Sequence, residues 1–131
     1  MPVENFSFTL PDCPKKGYYP KSYKESGLIK IIHDKLIELN GNCKELHLIR
    51  KYYDIILTIQ IQAQNKNLSQ EYIELIKKHK NIDNLIAHLF LMIRNHMLQL
   101  KIRDDLILSN DHLHRTHLKK IKFFLSVYNK N

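Results

Sequence analysis

Histidine is the residue type in this sequence best suited to chemistry, because eight histidines occur in 131 residues. His114 and His117 share the apolar face of the last predicted helix, and His96 lies in the middle of the apolar face of the helix before it. If those two helices pack together, the three imidazoles converge, and three nitrogen ligands are enough for a zinc or iron site. A histidine-ligated metalloprotein is therefore one hypothesis.

The alternative interpretation of these histidines is structural. A histidine on an apolar helix face is more often a hydrogen-bonded core residue than a metal ligand. Neither an H-E-x-x-H motif nor the Glu-x-x-His spacing of di-iron bundles occurs in the chain. We therefore predict no metal and no cofactor, and the metalloprotein is the last of three hypotheses.

Other catalytic patterns are equally weak. His33-Asp34 resembles the adjacent His-Asp pair of the HD phosphohydrolases, but that family needs a further histidine upstream, and none precedes His33. Cys13 and Cys43 have no histidine beside them in sequence, and we interpret both as reduced thiols of a cytosolic protein. Three glycines in the whole chain cannot build a phosphate-binding loop. These observations predict that the protein is not an enzyme.

Lysines interleave with tyrosines near the N-terminus, and this combination favours single-stranded nucleic acid, because cations attract phosphates and aromatic rings stack on bases. A second basic stripe follows the polar face of the last predicted helix, in a stretch, 112–131, that contains no acidic residue. The predicted nucleic-acid-binding residues are Lys15, Lys16, Tyr18, Tyr19 and Lys21 in the first cluster and Arg115, Lys119 and Lys122 in the second.

The net charge of +8 adds only modest support to RNA or DNA binding. Of the 21 basic residues, 17 are lysine and four are arginine, whose planar fork is better suited to phosphates and guanine edges. The chain also has 17 isoleucines and 11 asparagines, which is typical of an AT-rich genome that raises lysine content whatever the function.

Apolar residues outside the main helix faces favour a protein partner instead, since leftover apolar side chains on a small bundle form patches that another protein covers. A second copy of the chain, docked on the fourth or fifth helix, is one such partner. Our leading hypothesis is a non-enzymatic accessory or regulatory protein that acts by protein–protein binding, with RNA or DNA binding as the alternative. The predicted protein-binding residues are Leu91, Leu98, Ile102, Phe123 and Val127.

The elements that must position these residues are predicted to be helices, because all four prolines lie in the first twenty residues. The sequence predicts an all-α protein, a small bundle of about five helices (residues 22–131) behind an extended N-terminal arm (residues 1–21). Residues 57–63 also alternate as a strand would, but helical periodicity extends upstream of them. The predicted helices cover residues 22–40 (or from Ser26), 44–64, 69–80, 81–108 and 111–128.

A membrane location is not expected. The chain has no run of about 18 apolar residues that would form a transmembrane helix. Its first residues lack the basic stretch followed by an apolar stretch that marks a secretory signal. Together with the interpretation of the cysteines as thiols, this predicts a soluble, cytoplasmic protein.

Overall fold

A computed structural model describes residues 12–39 and 42–129 and confirms the predicted all-α fold. The predicted arm residues 1–11 and the predicted turn at residues 40–41 lie outside these ranges. No helix within them is long and apolar enough to cross a membrane. A short 3-10 helix, Lys21–Glu25, is followed by five α-helices: α1 (Gly27–Leu39), α2 (Cys43–Gln64), α3 (Gln70–Lys78), α4 (Ile82–Gln99) and α5 (Asp104–Asn129).

The starts of α1, α2 and α4 are set by side chains that accept hydrogen bonds from backbone N–H groups. The first predicted start, at residue 22, is wrong, because Lys21–Glu25 is a separate 3-10 helix. Ser26, the alternative predicted start, caps α1 by accepting a 3.2 Å hydrogen bond from the backbone N–H of Ile29. Asn81 caps α4 in the same way, at 2.8 Å from the N–H of Asn84. Residues 57–63, which also had the pattern of a strand, lie inside α2.

The core is built by α2, α4 and α5, each of which packs against the other two. Tyr53 of α2 bonds Asn110 of α5, and further along the chain Gln60 of α2 bonds His117 of α5. Because residue numbers increase in the same direction along both helices, the two helices run parallel. The 3-10 helix and α1 pack on α2, while α3 packs on α4. Fully or almost fully buried core residues include Ile56, Ile59, Leu85, Ile86, Ile93, Met97, Leu113 and Ile121.

The predicted helix 81–108 is wrong, because α4 ends at Gln99 and a new helix begins at Asp104. Lys101 adopts a left-handed conformation with φ 56°. The N–H of Ile102 then bonds the carbonyl of Met97 at 3.1 Å, and that of Lys101 bonds Leu98 at 3.0 Å. This is the Schellman termination, which usually has glycine at the left-handed position. The turn predicted at residues 109–110 consequently lies inside α5.

The interpretation of the two cysteines as reduced thiols is also wrong, since Cys13 and Cys43 form a disulfide. Their Cα atoms are 4.9 Å apart, within the usual range for such a bond. The bond ties the arm to the first residue of α2. Reduced thiols were one ground for predicting a cytoplasmic location, and that ground is lost.

Candidate nucleic-acid-binding groove

The last part of the arm makes a tight turn and lies along α1. The backbone N–H of Tyr18 bonds the carbonyl of Lys15 at 3.2 Å, closing the turn. Gly17 stands at its third position with φ 83°, a conformation that residues with a Cβ rarely adopt. The side chain of Tyr18, which follows the turn, is 70% exposed. The turn thus presents an aromatic ring to solvent.

Asp34 of α1 holds this turn in place. Its carboxylate accepts a 2.6 Å hydrogen bond from the Tyr19 hydroxyl and a 3.2 Å bond from the backbone N–H of Gly17, and His33 Nδ1 lies 3.2 Å away. Partial burial opposes ionisation of Asp34, but these three hydrogen bonds outweigh it, so the pKa of Asp34 falls below its usual range. At neutral pH a charged carboxylate therefore anchors the arm.

Beneath the turn, three rings pack together. Tyr19 stacks on Tyr23 with ring centroids 6.1 Å apart, and the His33 ring meets both tyrosines edge-on at 5.2 and 5.7 Å. Burial lowers the pKa of His33, which keeps the imidazole neutral at neutral pH. Tyr19 is thus part of the support of the arm, and Tyr18 is the ring left free.

The arm, the 3-10 helix, α1 and α2 together enclose an open groove of about 540 Å³. Four cationic side chains line it, and none of the described residues that line it is acidic. The Nζ atom of Lys30 lies 5.5 Å from the centroid of the Tyr19 ring, within the range of a cation–π contact. The groove residues are Gly17, Tyr18, Tyr19, Pro20, Lys21, Lys24, Lys30 and Arg50.

Three of the five residues predicted in the first basic cluster line this groove, namely Tyr18, Tyr19 and Lys21. Lys15 and Lys16 do not, and Lys16 pairs at 3.2 Å with Glu38 on the exposed side of α1. Lys30 and Arg50 also line the groove, although no sequence pattern indicates them. They come from two different helices, and only the folding of α1 and the 3-10 helix onto α2 brings them to the arm.

The second predicted cluster lies along α5, as expected. Arg115, Lys119 and Lys122 line an open groove of about 490 Å³ together with His112, Thr116 and Leu118. Lys122 also pairs with Asp83 of α4 at 3.1 Å, which offsets part of the charge. A single helix supplies every described residue that lines this groove, whereas the arm, the 3-10 helix, α1 and α2 all contribute to the groove beside the arm.

Four of the five predicted protein-binding residues are exposed: Leu91 and Leu98 on α4, and Phe123 and Val127 on α5. Ile102 is only 7% exposed and belongs to the core, so its assignment to a binding surface was wrong. The physical reason is the early end of α4. Ile102 lies in the connection to α5, where it is turned inward, rather than on the outer stripe of a longer helix.

The three predicted metal ligands have separate partners. His96 pairs with Glu45 and stacks on Tyr52, and His114 stacks on Phe90 with centroids 5.0 Å apart. His117 Nδ1 lies 2.6 Å from Gln60 Oε1, and burial lowers the pKa of His117 to about 4. The structure thus does not bring these imidazoles together. In the described part of the chain, no three His, Cys, Asp or Glu side chains are grouped to hold a metal ion.

Comparison of the chain with known protein families, with curated proteins and with solved structures found no match. Its function is therefore inferred from its own residues.

Proposed function

We propose that this is a non-enzymatic protein that binds single-stranded nucleic acid in the groove beside the arm. The observation that carries the proposal is the exposed ring of Tyr18 in a groove lined by Lys21, Lys24, Lys30 and Arg50. Cations attract the phosphate backbone without regard to sequence. A free aromatic ring adds base stacking, which is sequence-tolerant because every base has a π-face.

Single strands fit this site better than duplexes do. A protein ring can stack on a base only where the base is not already stacked between its neighbours in a helix. Three of the four cations are lysines, which contact phosphate as point charges and make fewer two-pronged contacts to base edges than arginine does. We therefore expect binding with little sequence preference. The cytoplasmic location of the protein remains a prediction.

The experiment is fluorescence anisotropy of a labelled oligothymidylate and of a labelled duplex, titrated with protein at low and near-physiological salt. The single strand should bind more tightly. On single strands each phosphate contact adds about 0.7 to the slope of log Kd against log salt concentration. Four phosphate contacts should therefore give a slope of about three. Equal or tighter binding of the duplex would contradict the proposal.

A matched control tests whether the groove itself supplies the charge. Replacing Lys21 and Lys24 by Ala should lower the salt slope by about 1.4, since two contacts are lost. Replacing Lys77 and Lys78, two exposed lysines on α3, removes the same charge away from the groove. That second variant should retain the wild-type slope. Equal losses in the two variants would show that only the net charge matters.

Protein binding, the leading hypothesis from sequence, is the second candidate. Phe123 is 64% exposed, its ring centroid lies 5.8 Å from that of Phe124, and Val127 follows one turn later on α5. Replacing Phe123 and Val127 by Ser should weaken capture of a protein partner while the helical content, measured by circular dichroism, is retained. Unchanged capture would contradict this candidate. It ranks second because scattered exposed apolar residues are common on proteins.

A further inference from the structure

We propose that the protein binds a second single strand of nucleic acid along the outer side of α5 and so holds two strands at once. The inference goes beyond the proposed function, which needs only the groove beside the arm. We call the second binding surface the α5 site, and it consists of Arg115, Lys119, Lys122 and Phe123. The sequence pattern predicts a nucleic-acid role for the three cations and a protein-binding role for the ring.

The ring and the cations share one side of α5. Arg115, Lys119 and Phe123 follow one another at intervals of four residues, so they lie in one row along the helix. Lys122 lies beside Lys119 in the groove of about 490 Å³. Phe123 follows one turn after Lys119 and is 64% exposed. An exposed aromatic ring next to a row of cations is the combination that also marks the groove beside the arm.

The charge of the α5 site favours a polyanion. None of the described residues that line the α5 groove is acidic, and the sequence has no acidic residue in the range 112–131. Within the described part of the chain, Arg115 and Lys119 make no ion pair, whereas Lys122 pairs with Asp83 at 3.1 Å. Lysine is depleted at protein–protein interfaces, so the cations around the ring favour nucleic acid over a protein partner.

Two strands can bind together because the two grooves share no described residue and lie apart on the bundle. α5 contacts α2 through Asn110 and His117. Because each residue turns the helix by about 100°, Arg115 and Lys119 lie on the side of α5 that faces away from α2. The groove beside the arm, in contrast, includes Arg50 of α2. The width of α5 therefore separates the two grooves.

The α5 site is the weaker of the two. One of its three cations is partly neutralised by Asp83, whereas the groove beside the arm has four cations. Since each phosphate contact adds to the affinity, a limiting amount of strand binds in the groove beside the arm. The second strand binds when strand is in excess. Two strands on one protein then have a high effective concentration relative to each other.

The test counts the strands on one protein, with hexathymidylate as the probe because a strand of this length can occupy one groove. Native mass spectrometry, at the strand concentration that just saturates wild type, should show two bound strands. Lys119→Ala/Phe123→Ala should bind one strand, because losing the ring alone weakens the α5 site by about tenfold. The control Lys78→Ala/Leu98→Ala removes an exposed lysine and an exposed leucine outside α5 and should still bind two. Circular dichroism checks that each variant keeps its helical content.

A second readout reports whether the two strands lie on the same protein. Hexathymidylates that carry a donor or an acceptor fluorophore are mixed with the protein, and energy transfer is measured. Transfer should occur with wild type and with the control variant. It should be lost with Lys119→Ala/Phe123→Ala and also with Tyr18→Ala/Lys21→Ala, because each double substitution weakens one of the two sites.

One strand per wild-type protein, without energy transfer, would overturn the α5 site. If that strand is lost in Tyr18→Ala/Lys21→Ala, the proposed function still stands. Two strands on Lys119→Ala/Phe123→Ala would also overturn the α5 site, because the second strand then binds elsewhere. If wild type binds no strand, the proposed function and the second site both fail.

Discussion

The hydroxyl of Tyr19 in the arm donates a 2.6 Å hydrogen bond to the carboxylate of Asp34 in α1, fifteen residues along the chain. The same carboxylate accepts the backbone N–H of Gly17, so one acidic residue holds both sides of Tyr18. Hydrogen bonds to a charged group are stronger than those between neutral groups. Asp34 therefore holds the segment that carries the Tyr18 ring without lining the groove itself.

Replacing Asp34 by Ala should destabilise the protein by about 1–3 kcal/mol, because the hydrogen bonds that its charged carboxylate makes with Gly17, Tyr19 and His33 are lost. The free energy of unfolding is measured by urea denaturation. Glu38→Ala is the matched control, since it removes one acidic residue from the same helix but breaks only the exposed ion pair with Lys16. This control substitution should lower the free energy of unfolding by less than about 1 kcal/mol. Equal costs would mean that Asp34 does not anchor the arm.

The buried His117 should make the protein less stable in mild acid. Burial lowers the pKa of His117 to about 4 in the folded protein, against about 6.5 in the unfolded chain. Between these values the unfolded chain binds a proton that the folded protein does not, so stability falls as the pH decreases from about 6.5 to about 4. The contribution lost over this window is roughly 3 kcal/mol.

The measurement is the free energy of unfolding against pH for wild type and His117→Gln. His33 and His114 also have pKa values lowered by burial, so they contribute a similar slope to both proteins. The difference between the two curves isolates the contribution of His117. For each unit by which the pH falls in this window, the free energy of unfolding of wild type should decrease by about 1.4 kcal/mol more than that of His117→Gln. Parallel curves would contradict a neutral, buried His117.

Lys101 occupies a left-handed position that favours glycine, with φ 56°. Replacing it by Gly should stabilise the protein by about 1 kcal/mol, because the contact between Cβ and the following carbonyl is relieved. Lys119→Gly inside α5 is the control, and it should destabilise by about 1 kcal/mol, the helix-propensity cost of glycine. Thermal and urea denaturation check both. A destabilised Lys101→Gly variant would contradict the termination of α4 described here.

Lys101 also explains which part of the fold could not be predicted from the sequence. The all-α class and the position of α2 follow from proline placement and periodicity, whereas Ser26 was only the alternative start of α1. The break between α4 and α5 does not, because the chain turns at Lys101 without the glycine or proline that marks such a point. The sequence pattern consequently predicts Ile102 on the surface and Asn110 in a turn. Both residues are buried, and Asn110 accepts a 2.7 Å hydrogen bond from Tyr53.

The groove was predicted only in part for a related reason. Tyr18, Tyr19 and Lys21 are neighbours in sequence, so their combination is visible as a cluster. Lys30 and Arg50 reach the groove because α1 packs on α2, and a local sequence pattern does not predict such packing. The distinct roles of Tyr18 and Tyr19 also depend on a partner, Asp34, that only the folded chain supplies.

The most direct test of nucleic-acid binding is the affinity of wild type, Tyr18→Phe and Tyr18→Ala for a labelled oligothymidylate at near-physiological salt. Tyr18 is exposed, so neither substitution should alter the fold. Phe retains the ring and should bind as wild type does, whereas Ala should weaken binding by about tenfold, the contribution of one stacked base. If Tyr18→Ala binds as tightly as wild type, the groove beside the arm is not the nucleic-acid site.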